Sequence, residues 1–352
     1  MLGAGRHPLH DVSSEGMLSS VPTVMVDTQE RPRIIPVAHG KTDVGRQRNH
    51  NEDNFLVASH LDLFVVCDGM GGNNAGEVAS ALATTSIRNF YQATENGIIP
   101  GRLHREDEGL SEPARRLAVG VRKANADVHE ISSTRLEHKG MGCTIVAVHV
   151  SRYSGTVQIA HVGDSRCYRI RKDEIQQLTR DHSLVGDALA WNPNLSEDEL
   201  SKLPKNIISR ALGLRRVVEV DVRSEVARPG DIYLLCSDGL TGMVKDHQIL
   251  EVFQLSNDVE DACDSLIALA NEGGGSDNIT AVAVLIEADP SGATAGPEIM
   301  VKPLAVDDLL SYLDGDSEDG IPTSSNRPCE ECGKMPASGD LFCGQCGARI
   351  AP

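Results

Sequence analysis

The sequence predicts an α+β layered domain, and three observations carry that prediction. Strand-like and helix-like segments alternate from Ile34 to Ile286. Several strand-like runs follow one another across a short turn, which makes much of the sheet antiparallel. Long amphipathic segments are interspersed among them, and their apolar faces need a sheet to cover. Hydrophobic residues are 40% of the 352 positions, enough for a sizeable core. Aromatics are only 3%, so that core is built from Val, Ile, Leu and Ala.

Strands are expected at 54–58, 62–67, 143–150, 156–162, 166–171, 231–236 and 279–286, where apolar runs are bounded by turn residues. A first helix follows from Val78, Ala79, Leu82, Ala83, Ile87 and Phe90, which share one helical face. A second covers 113–131, and a shorter one 246–255. The last places Val259, Ala262, Cys263, Leu266 and Ala270 on one face, with Asn257 or Asp258 as N-cap and Gly273 as its stop. Residues 1–33 read as a flexible arm, 34–287 as the main domain and 288–327 as an acidic Pro/Gly/Ser linker. Residues 328–352 read as a separate small module. Within the linker DGDSEDG resembles a calcium loop, but Asp319 stands where Gly is required and Ser325 where Glu is required.

A net charge of −18 argues against non-specific nucleic-acid or anionic-membrane binding. No apolar window approaches the ~20 residues a membrane span needs, and the first residues hold no secretory h-region. The expected compartment is the cytoplasm. Five of the nine cysteines (Cys67, Cys143, Cys167, Cys236, Cys263) sit in apolar runs, as small core residues of a reducing compartment do.

Carboxylates recur where core strands meet turns. Asp68 follows FVVC, Asp164 follows VQIAHVG and Asp238 follows IYLLCS. Asp277 precedes NITAVAVLI, and Glu52 and Asp53 precede NFLVA. Any one of them alone is an ordinary turn residue. Together, along one edge of a sandwich, they would repel one another and require a cation. Hard oxygen donors in that number suit Mg²⁺ or Mn²⁺. A turn stripped of side chains after Asp68 would let the Gly69 carbonyl reach an ion. Two close metals sharing a hydroxide form a hydrolytic device for phosphoryl groups. Arg48, just ahead of Asn51-Glu52-Asp53, suits a fork for phosphate oxygens.

TDVGRQRNHNEDNF, FVVCDGMGGNNAGEVAS, GMGCTIVAV, HVGDSRCYRI, LLCSDGLTGMV and GGGSDNITAVAV occur in this order. Over about residues 36–287 they resemble the protein phosphatase 2C family, the metal-dependent Ser/Thr phosphatases, in its bacterial form. The resemblance implies a four-layer α-β-β-α sandwich with two central antiparallel sheets and the metals in a cleft at one end. It implies that Asp53, Asp68, Asp238 and Asp277 hold two Mn²⁺ or Mg²⁺ ions, with Asp68 bridging and the Gly69 carbonyl helping. Glu52 would act through a water, Asp164 would help hold a third, weaker metal, and Arg48 would bind the phosphate. Asn278 would contact a metal-bound water or the phosphate. A bridging hydroxide would attack phosphorus in line, with no phosphoenzyme. Phosphoprotein substrates and an opposing Ser/Thr kinase follow from the same resemblance, and a monomer is expected. Two positions depart from the pattern. Met70 stands where many relatives carry a His that is assigned protonation of the leaving group, and a thioether cannot supply a proton. Cys143 stands where relatives have Thr, which reads as a packing change. Residues 181–210, with the single tryptophan Trp191, correspond to the family's flap, as a substrate gate or a passive loop.

The C-terminal module carries Cys329, Cys332, Cys343 and Cys346 as two Cys-x2-Cys knuckles, the signature of a structural zinc ribbon. So short a segment cannot bury a core, so Zn²⁺ would hold its fold. Its basic residues Arg327, Lys334 and Arg349 are balanced by Glu330, Glu331 and Asp340, which favours docking to protein over nucleic acid. His39, His50, His60, His129, His138, His161 and His182 show no ligand pattern and are expected as ordinary surface or core residues. An alternative to the enzyme is a weakly active or inactive adaptor that recruits partners through the ribbon. A third reading, action on small phosphoesters, shares the same chemistry.

Overall fold

The computed structural model describes residues 32–72, 75–97, 99, 107–196, 199–200, 202–204 and 207–295. The four cysteines of the expected zinc ribbon, the linker piece LAVDDLLSYL and most of the expected N-terminal arm lie outside these residues.

Two antiparallel sheets form the centre. The first orders its strands β1-β11-β10-β7-β8, which are Ile34–Asp43, Ile279–Ala288, Ile232–Cys236, Arg166–Arg171 and Glu174–Gln177. The second orders them β2-β3-β5-β6-β9, which are Asp53–Ala58, Leu63–Met70, Ile145–Ser151, Thr156–Val162 and Asp221–Val226. The short β4, Gly142–Cys143, pairs with the end of β3. Helices α1 (Ala75–Ala93) and α2 (Glu112–Thr134) cover the second sheet. A short α3 (Leu184–Trp191) lies in the flap segment, and a single turn α4 (Asp238–Thr241) follows β10. Helices α5 (Asp246–Leu255) and α6 (Val259–Glu272) cover the first sheet. The expected four-layer sandwich is therefore present.

Side-chain alternation explains why the central strands read as unbroken apolar runs. In β3, Leu63, Val65 and Cys67 face the helices, while Phe64 and Val66 enter the core between the sheets. In β10, Tyr233 and Leu235 point to the inter-sheet core and Leu234 and Cys236 to the helices. Both faces are buried, so both parities must be apolar. The helices follow local rules. The Ser111 hydroxyl caps α2 by accepting the Ala114 N–H. Asp258 caps α6 by accepting from Glu260 and Asp261, and Gly273 ends it. Five expected apolar positions of α6 are buried, Val259, Ala262, Cys263, Leu266 and Ala270. In α1 the expected face needs one correction. Ala79, Ala83, Ile87 and Phe90 are buried, but Val78 is exposed, because the face turns toward Ala75, Ser80 and Thr84.

Other expectations shift at their edges. Strands β1, β8 and β9 were not expected. The expected 143–150 strand is split into β4 and β5 at Thr144. Strand β3 runs on to Met70, so Asp68 lies inside a strand rather than past its end. Among the described residues no helix is long and apolar enough to cross a membrane.

Candidate active site

Asp53 opens β2 and is the register partner of Asp68 on β3. Asp238 begins α4 immediately after β10, and Asp277 immediately precedes Asn278 and β11. Asp164 lies in the β6–β7 turn. The acids thus arrive from both sheets at one end of the sandwich.

Close backbone approaches bring them together, and they answer why glycines follow Asp68. A Cβ on Gly69 would lie 2.2 Å from the Gly76 carbonyl oxygen and 2.5 Å from that of Glu52. A Cβ on Gly76 would lie 2.7 Å from the Glu52 carboxyl carbon. The start of α1 therefore packs directly on the strand end, and the Gly76 N–H reaches the Glu52 carboxylate. Gly69 also donates its N–H to the Glu52 carbonyl at 3.1 Å. Across the cleft, Gly239 seats α4 on the Asp277-Asn278 turn, since a Cβ there would meet the Asn278 oxygen at 2.0 Å.

Hydroxyls support the acids from beneath. The Asp53 Oδ2 accepts from Ser237 Oγ at 2.7 Å and from Thr280 Oγ1 at 2.6 Å. Thr42 Oγ1 lies 2.7 Å from Thr280 Oγ1 and accepts from Asn51 Nδ2 at 2.9 Å. The Asp68 N–H donates to Thr144 Oγ1 at 3.0 Å, which is why the strand breaks at Thr144. Of these, Ser237 alone carries a local signal, since it adjoins an acidic turn in Ser237-Asp238-Gly239. Replacing Thr280 by Val keeps the volume and removes one bond to Asp53. The Mn²⁺ needed for half-maximal turnover is expected to rise about 10–100-fold, as for other groups that orient metal ligands, measured by titration of activity.

The acids strain one another electrostatically. Burial pushes Asp53 up to about 7, against the Thr280 and Ser237 hydrogen bonds and with Asp238 and Asp277 adding to the rise. Asp68 is pushed well above the carboxylate range by burial and then by Asp53, Asp238, Asp164 and Asp277. Asp164 rises to about 7, through burial first and then Asp238 and Asp181. Asp238 is also raised, through loss of water and then Asp277, while a hydrogen bond with Asp68 opposes the rise. Glu52 is raised by burial, with Arg48 and the Gly76 N–H opposing. Asp53 Oδ1 is buried with no hydrogen-bond partner. A carboxylate with one oxygen saturated and the other bare, amid mutually repelling acids, fits a hard divalent cation.

Arg48 Nη2 pairs with Asp277 Oδ2 at 2.6 Å, which brings the guanidinium to the acids. Asn278 makes three side-chain hydrogen bonds to backbone. Its Oδ1 accepts the Glu52 N–H at 2.8 Å, and its Nδ2 donates to the Val44 and His50 carbonyls, each at 2.9 Å. It holds the loop that carries Arg48 and Glu52. Met70 is half-buried in β3 opposite Gly142. Cys143 is fully buried with its thiol 3.7 Å from the Ala79 carbonyl, a packing position, and the five described cysteines are free. Two histidines expected to be unremarkable, His161 and His182, are brought beside Asp221, with one ligand atom of each within 4.8 Å of the others.

Comparison with known proteins agrees with this geometry. The protein phosphatase 2C family pattern matches residues 43–272. The serine/threonine phosphatase stp of Listeria innocua is 36% identical over 250 residues, covering 70% of this chain and 94% of that protein. The protein phosphatase PhpP of Streptococcus pneumoniae is 30% identical over 246 residues, covering 69% and 94%. The Mycobacterium tuberculosis serine/threonine phosphatase PstP/Ppp superposes with a TM-score of 0.62 at 32% identity, covering 72% of this chain and 99% of that one. The PstP catalytic domain in complex with two manganese ions superposes with a TM-score of 0.60 at 31% identity, covering 72% and 99%. With the sandwich, the converging acids and these relatives in agreement, the chain belongs to the protein phosphatase 2C family of serine/threonine phosphatases.

Proposed function

We propose that this chain hydrolyses phosphoserine and phosphothreonine on proteins, and that Asp53, Asp68, Asp238 and Asp277 hold two Mn²⁺ or Mg²⁺ ions, with the Gly69 carbonyl at the same site. The observation that carries this is the convergence of the acids on one cleft, with Asp53 Oδ1 bare among them. Two such ions would make water nucleophilic at neutral pH and offset the charge that builds on the phosphoryl oxygens. Asp164 belongs to a weaker third position, and Glu52 orients water at the rim. Arg48 exchanges its partner Asp277 for the substrate phosphate, which it binds and orients. Asn278 is a positioning residue that fixes Glu52 and the Arg48 loop through their backbone. Met70 has no proton to give, so the leaving oxygen takes its proton from water.

The reading is tested by phosphate release from a phosphothreonine peptide with Mn²⁺ and with EDTA. Release that needs the metal supports it. The absence of release from folded, Mn²⁺-treated protein would sink it and favour the adaptor alternative, which no missing acid otherwise supports.

The chain opposes a Ser/Thr protein kinase in the cytoplasm and acts as a monomer, with a catalytic domain at 34–287. The segment 328–352 is a zinc ribbon held by Cys329, Cys332, Cys343 and Cys346, and it docks to protein. One zinc per chain is the expected metal content by elemental analysis. Cys329→Ser with Cys346→Ser should remove it while turnover on the peptide is kept, because every residue assigned to the reaction lies within 34–287.

A further inference from the structure

The trio His161, His182 and Asp221 has the spacing of a metal site, but its hydrogen bonds give it another use. A ligating histidine donates its second ring N–H to an acceptor. His182 Nδ1 instead accepts the Gly163 N–H at 3.1 Å, which puts the ring proton on Nε2. His182 Nε2 faces Asp221 Oδ1 at 3.4 Å. Arg210 Nη1 donates to that same oxygen at 2.6 Å and lies 3.3 Å from His182 Nε2. The cation position is thus taken by a guanidinium, which Glu219 Oε2 also holds at 3.0 Å. His161 stacks on His182 with centroids 4.6 Å apart and turns its Nε2 to the Arg180 carbonyl at 2.8 Å.

These residues sit where the flap segment leaves and rejoins the sandwich. The His182 N–H donates to the Gly163 carbonyl at 2.9 Å, so the two residues exchange a pair of bonds. The His182 carbonyl accepts the Ser209 N–H at 2.8 Å, and Ser183 bridges Ile208. Both roots of the flap therefore meet at His182, whose backbone carbonyl holds Ser209 and whose buried ring, 1% exposed, holds the Gly163 N–H. From there the chain of contacts runs inward. Gly163, at φ +111°, packs on Thr144, where a Cβ would meet Thr144 Cγ2 at 2.6 Å. Thr144 Oγ1 is 2.6 Å from Ser165 Oγ and accepts the Asp68 N–H. Asp164 lies between Gly163 and Ser165.

We propose that His182 is a positioning residue that locks both roots of the 181–210 flap to the Gly163-Asp164-Ser165 turn, so that flap placement and the Asp164 carboxylate are set together. The proposal rests on the phosphatase reading only for its consequence in turnover; the mechanical coupling stands on the hydrogen bonds above. A flap displaced by a bound phosphoprotein pulls on the Asp164 turn, and a fixed Asp164 turn holds the flap.

The test uses the full chain with His182→Phe, which keeps the ring stack but has no acceptor, and His182→Asn, whose Oδ1 can stand where Nδ1 does. Backbone amide exchange is read by mass spectrometry alongside turnover at varied Mn²⁺. His182→Phe is expected to speed exchange at 163–165 and at 207–210 together by about tenfold, the effect of losing roughly one buried hydrogen bond. It should also raise the Mn²⁺ concentration for half-maximal turnover. His182→Asn should return both toward wild type. Unchanged exchange at 163–165 in His182→Phe overturns the coupling. So does acceleration spread equally over β10 and β11, which marks general loosening, or failure of His182→Asn to restore the turn. A wild-type chain without turnover would refute the phosphatase reading and leave the exchange result to decide the coupling.

Discussion

Replacing Asp68 by Asn is expected to lower Mn²⁺-dependent phosphate release by roughly 10²–10³-fold or more, the scale set by removing one principal electrostatic group from a reaction centre. Asp68 is the acid most crowded by others, since Asp53, Asp238, Asp164 and Asp277 all act on it. The same change should make the metal-free protein more stable. Asn carries no charge to repel its neighbours, whereas Asp68 must either repel them or hold a proton that the unfolded chain would release. Thermal unfolding in EDTA should therefore show a higher midpoint for Asp68→Asn than for wild type. Loss of activity together with a gain in metal-free stability separates a functional carboxylate from a structural one. A lower midpoint in EDTA would mean that Asp68 is held by contacts other than those described above.

Metal dependence of stability should itself vary with pH. Asp53 and Asp164 stand at about 7 in the folded, metal-free chain, against an ordinary value of 3.8. Below the ordinary value both states hold these protons, and the groups cost nothing. As pH rises toward 7 the unfolded chain releases them while the folded chain keeps them, so folded stability is progressively lost. The slope is about 1.4 kcal/mol per pH unit for each such group. Bound cations remove the reason to keep the protons. The difference in unfolding midpoint between Mn²⁺ and EDTA should widen from about pH 5 to pH 7 and level off above it. A gap that stays constant across that range would show that the acids are not mutually strained.

The acids themselves were legible in the sequence, because each borders an apolar run, although Asp68 lies within β3 and not in the turn after it. What surrounds them was less so. The three unexpected strands, β1, β8 and β9, are all sheet edges. An edge strand is partly solvated and can tolerate Pro36 in β1 or the polar run DVRSEV in β9, so it carries no apolar alternation to detect. Thr280 and Thr144 are not legible, because a buried hydroxyl in an apolar run looks like any small residue, and its task depends on a partner more than forty residues away, as with Thr280 and Asp53. The three backbone partners of Asn278 could not be read from the sequence, because they come from a loop over two hundred residues earlier. His161 and Asp221 meet through the pairing of β6 with β9, and His182 joins them through its pair of bonds with Gly163.

Strands β1 and β11 run antiparallel, with Asp43 opposite Ile279 beside the acids and Ile34 opposite Ala288 at the other extreme. These pairs are the two ends of strands 10 residues long, about 30 Å apart at the usual rise. The catalytic unit is thus entered and left at a single pole, through two chain ends that are strand neighbours about 5 Å apart. Such a unit behaves as a cassette. It could be spliced into an exposed loop of a host protein, or its ends joined and new ones cut elsewhere, without anything being threaded past the reaction mouth.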